Sequence, residues 1–266
     1  MTTITDAFRT GDLDGALAIA QAAVKAKPLD QDARWLFAEL LLLAGEAERA
    51  DKMLDAVALD QPFPSLLEFR KLLRAEVIRG QVWFEGRAPK FQGDDATPAQ
   101  RAALRGLVSA RLCDPEAAAA AAAEAEELRP RAPGHCELAN GTAFAFDDFR
   151  DADDLMSPIV EVLTSAGEHI LVPVERIREL RFDPPKRMRD LAWRRTTIEL
   201  KDGTEGVVYM PAIYPWRGAE TPMALRLGRA TEWSDGPGPV RGLGQRVFLA
   251  GDHDPAASDL AALRFD

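Results

Sequence analysis

The chain has 266 residues, and its 43 Asp and Glu residues outnumber its 33 Lys and Arg residues, which gives a net charge of −10 at pH 7. This balance argues against a duplex nucleic-acid binder, because neutralising phosphates requires clustered Lys and Arg side chains. The apolar fraction of 47% is typical of a folded globular protein. No apolar run is long enough to span a bilayer, and residues 1–6 lack the basic and apolar regions of a secretory signal. We therefore expect a cytoplasmic protein without nucleic-acid or membrane partners.

Small and turn-forming residues recur in the first part of the chain at a spacing of 34 residues. The recurring pairs are Gly11 and Gly45, Ala16 and Ala50, and Pro28 and Pro62. This spacing is the period of the tetratricopeptide repeat, a helix–turn–helix unit. In such a unit Gly permits the turn, Ala allows the helices to pack closely, and Pro ends the second helix. The spacing predicts a stack of paired helices.

Apolar positions at three- and four-residue steps predict helices through most of the first 130 residues. The predicted helices cover residues 3–10, 13–27, 33–44, 49–59, 65–80 and 99–112. Gly and Pro residues between positions 82 and 98 predict a loop or linker. A last helix follows Asp114, a good N-cap, with Pro115 in its first turn, and ends before Pro130. We predict a TPR-like α-helical repeat domain over residues 1–130.

Strand-like runs appear only in the second half of the chain. The predicted strands are residues 142–146, 169–173, 195–200, 206–210 and 246–250. Asp202-Gly203 lies between two of them and is a typical hairpin turn. Residues 154–166 predict a helix, with Pro158 in its first turn and Gly167 as its stop. We predict a mixed α+β domain with a mainly antiparallel sheet over residues 131–266, and an α+β fold for the whole chain.

The repeat register predicts a binding groove. If Gly45 is the fifteenth residue of its repeat, the first helix of that repeat begins near Gln31, and its fifth, ninth and twelfth positions face the concave side of the stack. These positions hold Trp35, Glu39 and Leu42. An aromatic ring and a leucine beside one carboxylate suit a groove for an amphipathic helix with apolar anchors. The alternative is that Trp35 is a core residue and the register is off by one.

The densest acidic cluster contains Asp147, Asp148, Asp151, Asp153 and Asp154. Alternating carboxylates can hold a divalent cation, but the Gly and Glu of a calcium loop do not align with this run. The alternative is that Asp153 or Asp154 caps the following predicted helix while Arg150 pairs within the cluster. We expect this structural role and no bound metal.

Other catalytic patterns are weak or missing in the sequence. His135, His169 and His253 have no zinc-like spacing. His135 lies next to Cys136, but neighbouring side chains rarely face each other, and His169 is expected at the edge of a strand. The sequence has no P-loop, GxSxG or HExxH motif, and the glycines at 242 and 244 lack the third glycine of a dinucleotide fingerprint. We predict a protein that is not an enzyme and carries no cofactor.

Residues 181–201 are locally basic, with seven Lys and Arg residues against three acidic residues. Phe182 and Trp193 lie among these charges, an arrangement that is also found where RNA or an acidic partner binds. The alternative, which we favour, is a solvated hairpin whose charges alternate with buried residues.

Six short motifs occur in one order along the chain. They are VWFEGRAPKF at 82–91, DDFRDADD at 147–154, RDLAWRR at 189–195, PAIYPW at 211–216, LGRATEW at 227–233 and GLGQRVFL at 242–249. Together they resemble the ImpE family, also called TagJ or SciE-type virulence proteins, which are accessory proteins of bacterial type VI secretion. The resemblance covers nearly the whole chain. One departure is Leu171-Val172-Pro173, where the family tends to carry an aromatic residue before Val-Pro.

The resemblance implies a non-enzymatic cytoplasmic role beside the contractile sheath of the secretion system. It implies binding to the N-terminal helix of the small sheath protein, TssB, and a link to sheath recycling by the ATPase ClpV. This agrees with the predicted groove. Arg150, Asp151 and Trp193, which lie in the motifs, are second candidates for partner contact. The competing hypothesis is a metal-dependent or acid-base enzyme that uses the aspartates between positions 147 and 154.

Overall fold

The computed structural model describes residues 3–60, 62–93, 95–218 and 220–266. Met1 and Thr2, which belong to the stretch considered above as a possible leader, lie outside these residues. The first five helices are α1 (Ile4–Arg9), α2 (Leu13–Ala26), α3 (Gln31–Leu43), α4 (Ala47–Asp60) and α5 (Pro64–Glu85). They confirm the predicted helical repeat.

The local sequence explains where these repeat helices start and turn. Asp12 and Asp30 cap α2 and α3 by accepting hydrogen bonds from backbone N–H groups of the first turn. Gly11 and Gly45 have φ angles of +83° and +77°, which L side chains rarely adopt. The 34-residue spacing therefore marks two turns of the same shape.

The helix α5 continues past its predicted end at residue 80. It does so because Val82 and Trp83 are buried, the latter in a cluster with Leu107 and Tyr214. The helix ends where Gly86 takes a φ of +83°. The loop predicted over residues 82–98 is thus shorter than expected and includes a short strand, β1 (Lys90–Phe91). Asp94, in the same stretch, lies outside the described residues.

Three further helices are α6 (Pro98–Arg111), α7 (Pro115–Leu128) and α8 (Met223–Arg226). The pair α6 and α7 confirms the predicted helices there, including the Asp114 cap. Gly106 lets α6 approach its neighbours closely, since a Cβ at this position would lie 2.6 Å from Leu155 Cδ2. In the described parts of the chain, every helix is too short or too polar to cross a bilayer.

Nine strands form the main sheet of the described residues, in the order β1-β6-β5-β9-β8-β7-β13-β2-β3. Besides β1, they are β2 (Gly134–Leu138), β3 (Ala143–Phe146), β5 (Ile159–Thr164), β6 (His169–Pro173), β7 (Ile177–Phe182), β8 (Trp193–Leu200), β9 (Glu205–Pro211) and β13 (Leu260–Phe265). Two small antiparallel pairs join β4 (Phe149–Asp151) to β12 (Phe248–Ala250) and β10 (Thr231–Trp233) to β11 (Gly242–Gly244). Only the pairing of β1 with β6 is parallel among these strands, so the predicted mainly antiparallel sheet is confirmed.

The prediction of a helix over residues 154–166 is wrong. Turns occupy its first part and β5 its second part, where Ile159, Val160 and Val162 are β-branched and favour a strand. β5 pairs on both sides, with β6 and β9, and is buried on both faces, so it lacks the alternation that identifies a strand. Gly167, read as a helix stop, instead turns the hairpin from β5 to β6 with a φ of +92°.

The helical repeat and the sheet share one apolar cluster. Trp193, Tyr209 and Leu163 of the sheet pack with helical residues that include Trp35 and Phe69. A second cluster lies within the sheet and its connections. The shared cluster fixes the orientation of the repeat on the sheet, and it decides which faces of the helices are covered.

Candidate functional site

The predicted groove residues are buried. Trp35, Glu39 and Leu42 are 8%, 2% and 5% exposed. The Trp35 ring lies 5.8 Å from that of Phe63 and 5.2 Å from that of Phe69, both contributed by the chain around α5. The indole Nε1–H of Trp35 donates a 2.8 Å hydrogen bond to Glu39.

Residues 183–192, which we call the strap, cover this face. The strap connects β7 to β8 and contains a short 3-10 turn. Arg187 donates from Nε to Glu39 at 2.6 Å, and its guanidinium lies 5.0 Å from the Trp35 ring centroid. The prediction that Trp35 and Glu39 line an open groove is therefore wrong, and the alternative that Trp35 is a core residue is correct, whereas Leu42 lines the cleft described below. Arginines of the chain itself cover this aromatic face instead.

Of the three second candidates, Arg150 and Asp151 are neighbours in β4, Trp193 lies in β8, and the structure buries two of the three. Trp193 is 1% exposed, and its Nε1–H donates to Glu76 of α5 at 2.8 Å. Asp151 is fully buried beneath the sheet connections. Arg150 is partly exposed and pairs with Asp154 at 3.1 Å. Of the six predicted partner residues, Leu42 and Trp193 reach the wall of the cleft described below.

The aspartates of the acidic cluster point to different cationic partners. Asp148 pairs with Arg129, Asp151 with Arg246, Asp153 with Arg241 and Asp154 with Arg150. No group of three or more His, Cys, Asp or Glu side chains in the described residues is arranged to hold a metal ion. The prediction that Asp153 or Asp154 caps a helix is wrong, because turns and β5 follow these residues. Asp153 instead accepts a hydrogen bond from the N–H of Leu155 in a turn. The predicted pairing of Arg150 within the cluster is confirmed.

A buried ionic network joins α5 to the sheet. Glu161 of β5 is fully buried and accepts hydrogen bonds from four side chains. They are Arg79 at 3.1 and 3.2 Å, Trp83 at 2.6 Å, His169 at 2.9 Å, and Arg246. Burial alone would raise the pKa of Glu161, but Arg79 and Arg246 hold it well below the usual range, so the carboxylate is ionised. His169, expected at a strand edge, is thus inside the protein.

Sequence reasoning missed this network because its members come from four separate elements. In the sequence these residues appear as single charged residues within apolar runs, such as Glu161 within β5, and this is a weak indication of a network. A charged residue in such a run is buried only if it has partners. The pattern therefore shows that partners exist without showing which residues they are.

The pH dependence of stability tests the environment of Asp151. Burial raises the pKa of Asp151 from 3.8 to about 7, against the opposing effect of Arg246. Between these values the native state binds a proton that the unfolded state releases, so the free energy of unfolding should fall as pH rises towards 7. Asp151→Asn removes this titration. We expect the loss of stability between pH 5 and pH 8, measured by urea unfolding, to be smaller in Asp151→Asn than in the wild type. Equal losses would contradict the raised pKa.

Residues of the PAIYPW and LGRATEW motifs, and Arg226 between them, hold the turns of the helical repeat. Trp216 packs on Gly45, where a Cβ would lie 2.8 Å from the indole ring. Arg226 stacks on Trp216 at 4.7 Å and donates to the carbonyl of Ala44 at 3.2 Å. Arg229 donates to the carbonyl of Phe8, near the end of α1. Cations at these helix ends also interact favourably with the helix dipoles.

A cleft of about 810 Å³ lies between the α3–α4 turn, the second half of α5 and residues 213–218. We call it the cleft. Its apolar lining includes Leu42, Val77, Phe84, Ile213 and Trp216. Its charged lining includes Glu46, Glu48, Arg49, Lys52, Glu85, Arg217 and Arg226. The combination of an apolar interior with charges of both signs is typical of a protein-binding site.

Gly80 lies in α5 on the wall of the cleft. Apart from its chain neighbours and the backbone of α5, a Cβ at this position would have no atom of the described residues within 4 Å. Gly weakens a helix interior by about 0.5–1 kcal/mol relative to Ala. The missing side chain therefore leaves open space at the cleft at a small cost in helix stability.

Two arginines of the basic segment bind other parts of the chain. Arg194 is 3% exposed and donates to the carbonyls of Ala257, Ser258 and Leu260. Arg187 contacts the helical repeat, as described above. Arg181 and Arg195, in contrast, are about half-exposed on the antiparallel strands β7 and β8, among buried residues. The solvated hairpin that we favoured therefore describes the strands, but not Arg187 and Arg194.

Comparisons with known proteins agree with this architecture. Residues 143–264 match the family described as "ImpE protein", and residues 7–73 match the family described as "Tetratricopeptide repeat". The chain is 31% identical over 263 residues to the Type VI secretion system accessory component TagJ of Pseudomonas aeruginosa, covering 97% of this chain and 89% of that protein. It is also similar to the X-ray crystal structure of a Vibrio parahaemolyticus protein, with a TM-score of 0.88, 28% identity, and coverage of 99% of this chain and 97% of that chain. The chain therefore belongs to the ImpE family, which includes the type VI secretion accessory component TagJ.

Proposed function

We propose that the chain is a non-enzymatic, cytoplasmic accessory protein of type VI secretion that binds the amphipathic N-terminal helix of the small sheath protein TssB in the cleft. This role places it beside the contractile sheath, linked to sheath assembly or to recycling by ClpV. The single observation that supports the site is the cleft itself, an open apolar space at the junction of the repeat and the sheet. The face first predicted for this role is covered by the strap.

The shape of the cleft suits a short stretch of helix. A helix with its side chains is about 10–12 Å wide, so it would lay one apolar face over the cleft instead of entering it completely. Two or three apolar side chains, spaced three or four residues apart, would serve as anchors. Phe84 and Trp216 offer aromatic surface to such anchors.

The charges at the cleft suit the polar flanks of such a helix. Glu46 pairs with Arg49 at 2.6 Å, and Arg217 with Glu85 at 3.3 Å. These side chains are half-exposed, and exposed pairs contribute little to stability. They can therefore exchange an internal partner for charges on a bound helix at a small cost in stability, which favours an amphipathic ligand with charges of both signs.

Titration of a labelled peptide with the sequence of the TssB N-terminal helix tests the proposal. We expect saturable 1:1 binding by fluorescence anisotropy with a Kd of about 1–100 μM, the range corresponding to about 5–8 kcal/mol. The matched control peptide carries Asp in place of two apolar residues on its hydrophobic face and should not saturate. Equal binding of the two peptides, or no saturation at all, would contradict the proposal.

A further inference from the structure

The strap is seated on the helical repeat as a bound peptide would be. Its two arginines, Arg187 and Arg189, are separated by one residue and both lie against aromatic rings. We call Trp35, Phe63 and Phe69, with the carboxylate of Glu39, the aromatic groove. Arg187 stacks on Trp35 and donates to Glu39, while Arg189 lies 4.9 Å from the ring centroid of Phe69 and 5.7 Å from that of Trp35. Stacking on rings together with a carboxylate acceptor is a favourable site for a guanidinium.

The strap contacts the helices mainly through side chains, with Met188 and Ala192 packed against the shared apolar cluster. None of its ten side chains is fully buried in the described structure, whereas Trp193, the next residue, is 1% exposed. Its own turn is stabilised locally, since Asp190 accepts from the N–H groups of Lys186 and Arg187. Among the described residues, the bond from Arg187 to Glu39 is the only hydrogen bond that joins the strap to the helices.

In this contact, two hydrogen-bond donors of Arg189 remain without an acceptor among the described residues. They are its Nε and Nη1, which are buried. The nearest carboxylate to Nε, that of Asp190, is 3.8 Å away. A buried donor without an acceptor costs free energy, so these two unpaired groups disfavour the strap's position in the groove.

We infer that the aromatic groove is a second binding site, for a segment of a partner protein that carries two arginines separated by one residue, and that the strap is its internal competitor. The strap shows the chemistry that the groove accepts. Displacing it exposes the groove, since the strap's ends are fixed in β7 and β8 while its middle rests on side-chain contacts. Trp35, Phe63, Phe69 and Glu39 do not line the cleft, although Ala192 at the end of the strap does, and the inference does not depend on the proposed function.

The test uses a synthetic peptide with the strap's own sequence, DPPKRMRDLA, and follows the indole N–H resonance of Trp35 by NMR. In the full-length variant Arg187→Ala/Arg189→Ala, the groove lacks its internal arginines, and we expect the peptide to shift this resonance in a saturable way. If the strap occupies the groove in about nine molecules of ten, the wild type should need about tenfold more peptide for the same shift. A control peptide with Gln in place of both arginines should give no shift.

Equal responses of the wild type and the double variant, or equal responses to the two peptides, would overturn the inference. If the double variant does not fold, Arg187→Ala replaces it, because that side chain is 49% exposed and its loss leaves the packing of Arg189 in place. Sedimentation of the wild type should show a monomer. A dimer that Arg187→Ala dissociates would overturn the assignment to a partner protein, because a second copy would then supply the arginines.

Discussion

Replacing Glu161 with Gln should destabilise the protein by about 3–5 kcal/mol, a large part of the 5–15 kcal/mol that holds a typical domain folded. Glu161 is the shared acceptor of Arg79, Trp83, His169 and Arg246. The amide of Gln carries no charge and offers one acceptor oxygen, with donors on the other side. Arg79 and Arg246, which are 4% and 0% exposed, would keep only Glu76 and Asp151 as acidic partners among the described residues.

The matched control for this substitution is Glu168→Gln. Glu168 pairs with Lys90 at 2.6 Å, but both side chains are half-exposed, at 43% and 58%. Exposed pairs contribute about 0–1 kcal/mol, so this change should be nearly neutral. Urea unfolding of both variants at pH 7 measures the difference. A loss below about 1 kcal/mol for Glu161→Gln would show that the network is not a structural link between α5 and the sheet.

Replacing Gly45 with Ala should cost about 3 kcal/mol. The φ of +77° disfavours any L residue by about 1–2 kcal/mol. In addition, the new Cβ would lie 2.8 Å from the Trp216 indole, closer than carbon atoms normally approach, and overpacking costs about 1–3 kcal/mol. The indole cannot retreat freely, because Arg226 stacks on it.

Gly11→Ala separates these two effects. Gly11 occupies the equivalent repeat position with a φ of +83°, but its Cβ would meet only the flexible guanidinium of Arg229, at 3.3 Å. We therefore expect a loss of about 1–2 kcal/mol, close to the backbone cost alone. Thermal or urea unfolding of the two variants gives the comparison. Equal losses would show that Trp216 does not press on the turn at Gly45.

Local patterns predicted the helical half well. The 34-residue spacing, the Asp caps and the glycine turns act over a few residues, so they can be recognised in one sequence. The strands were less predictable. β5 is buried on both faces, and the other missed strands are β1, β2, β4, β7, β10, β11 and β13. The hairpin turn at Asp202-Gly203 and strands β3, β6, β8 and β9 were predicted, because turn residues and strand-like runs can be recognised locally. The strand predicted over residues 246–250 is shorter in the structure, where β12 covers Phe248–Ala250.

The site was harder to predict, for a physical reason. The repeat register placed Trp35, Glu39 and Leu42 on one face, but what covers that face comes from Arg187, about 150 residues later in the chain. The charged partners Arg79 and Arg246 also lie far from Glu161 in sequence, at separations of 82 and 85 residues. Periodicity shows which side of a helix is apolar, and it does not show whether the chain itself or another protein covers it.

The measurement that tests the cleft most directly uses two substitutions at Gly80 and the TssB helix peptide. Gly80→Ala should bind the peptide as the wild type does and gain about 0.5–1 kcal/mol in stability, because a methyl group fits the open space and favours the helix. Gly80→Phe places a ring in the same space and should weaken binding by at least about tenfold, or about 1.4 kcal/mol, while the protein stays folded. Equal affinities for the peptide in the Ala and Phe variants would contradict binding in the cleft.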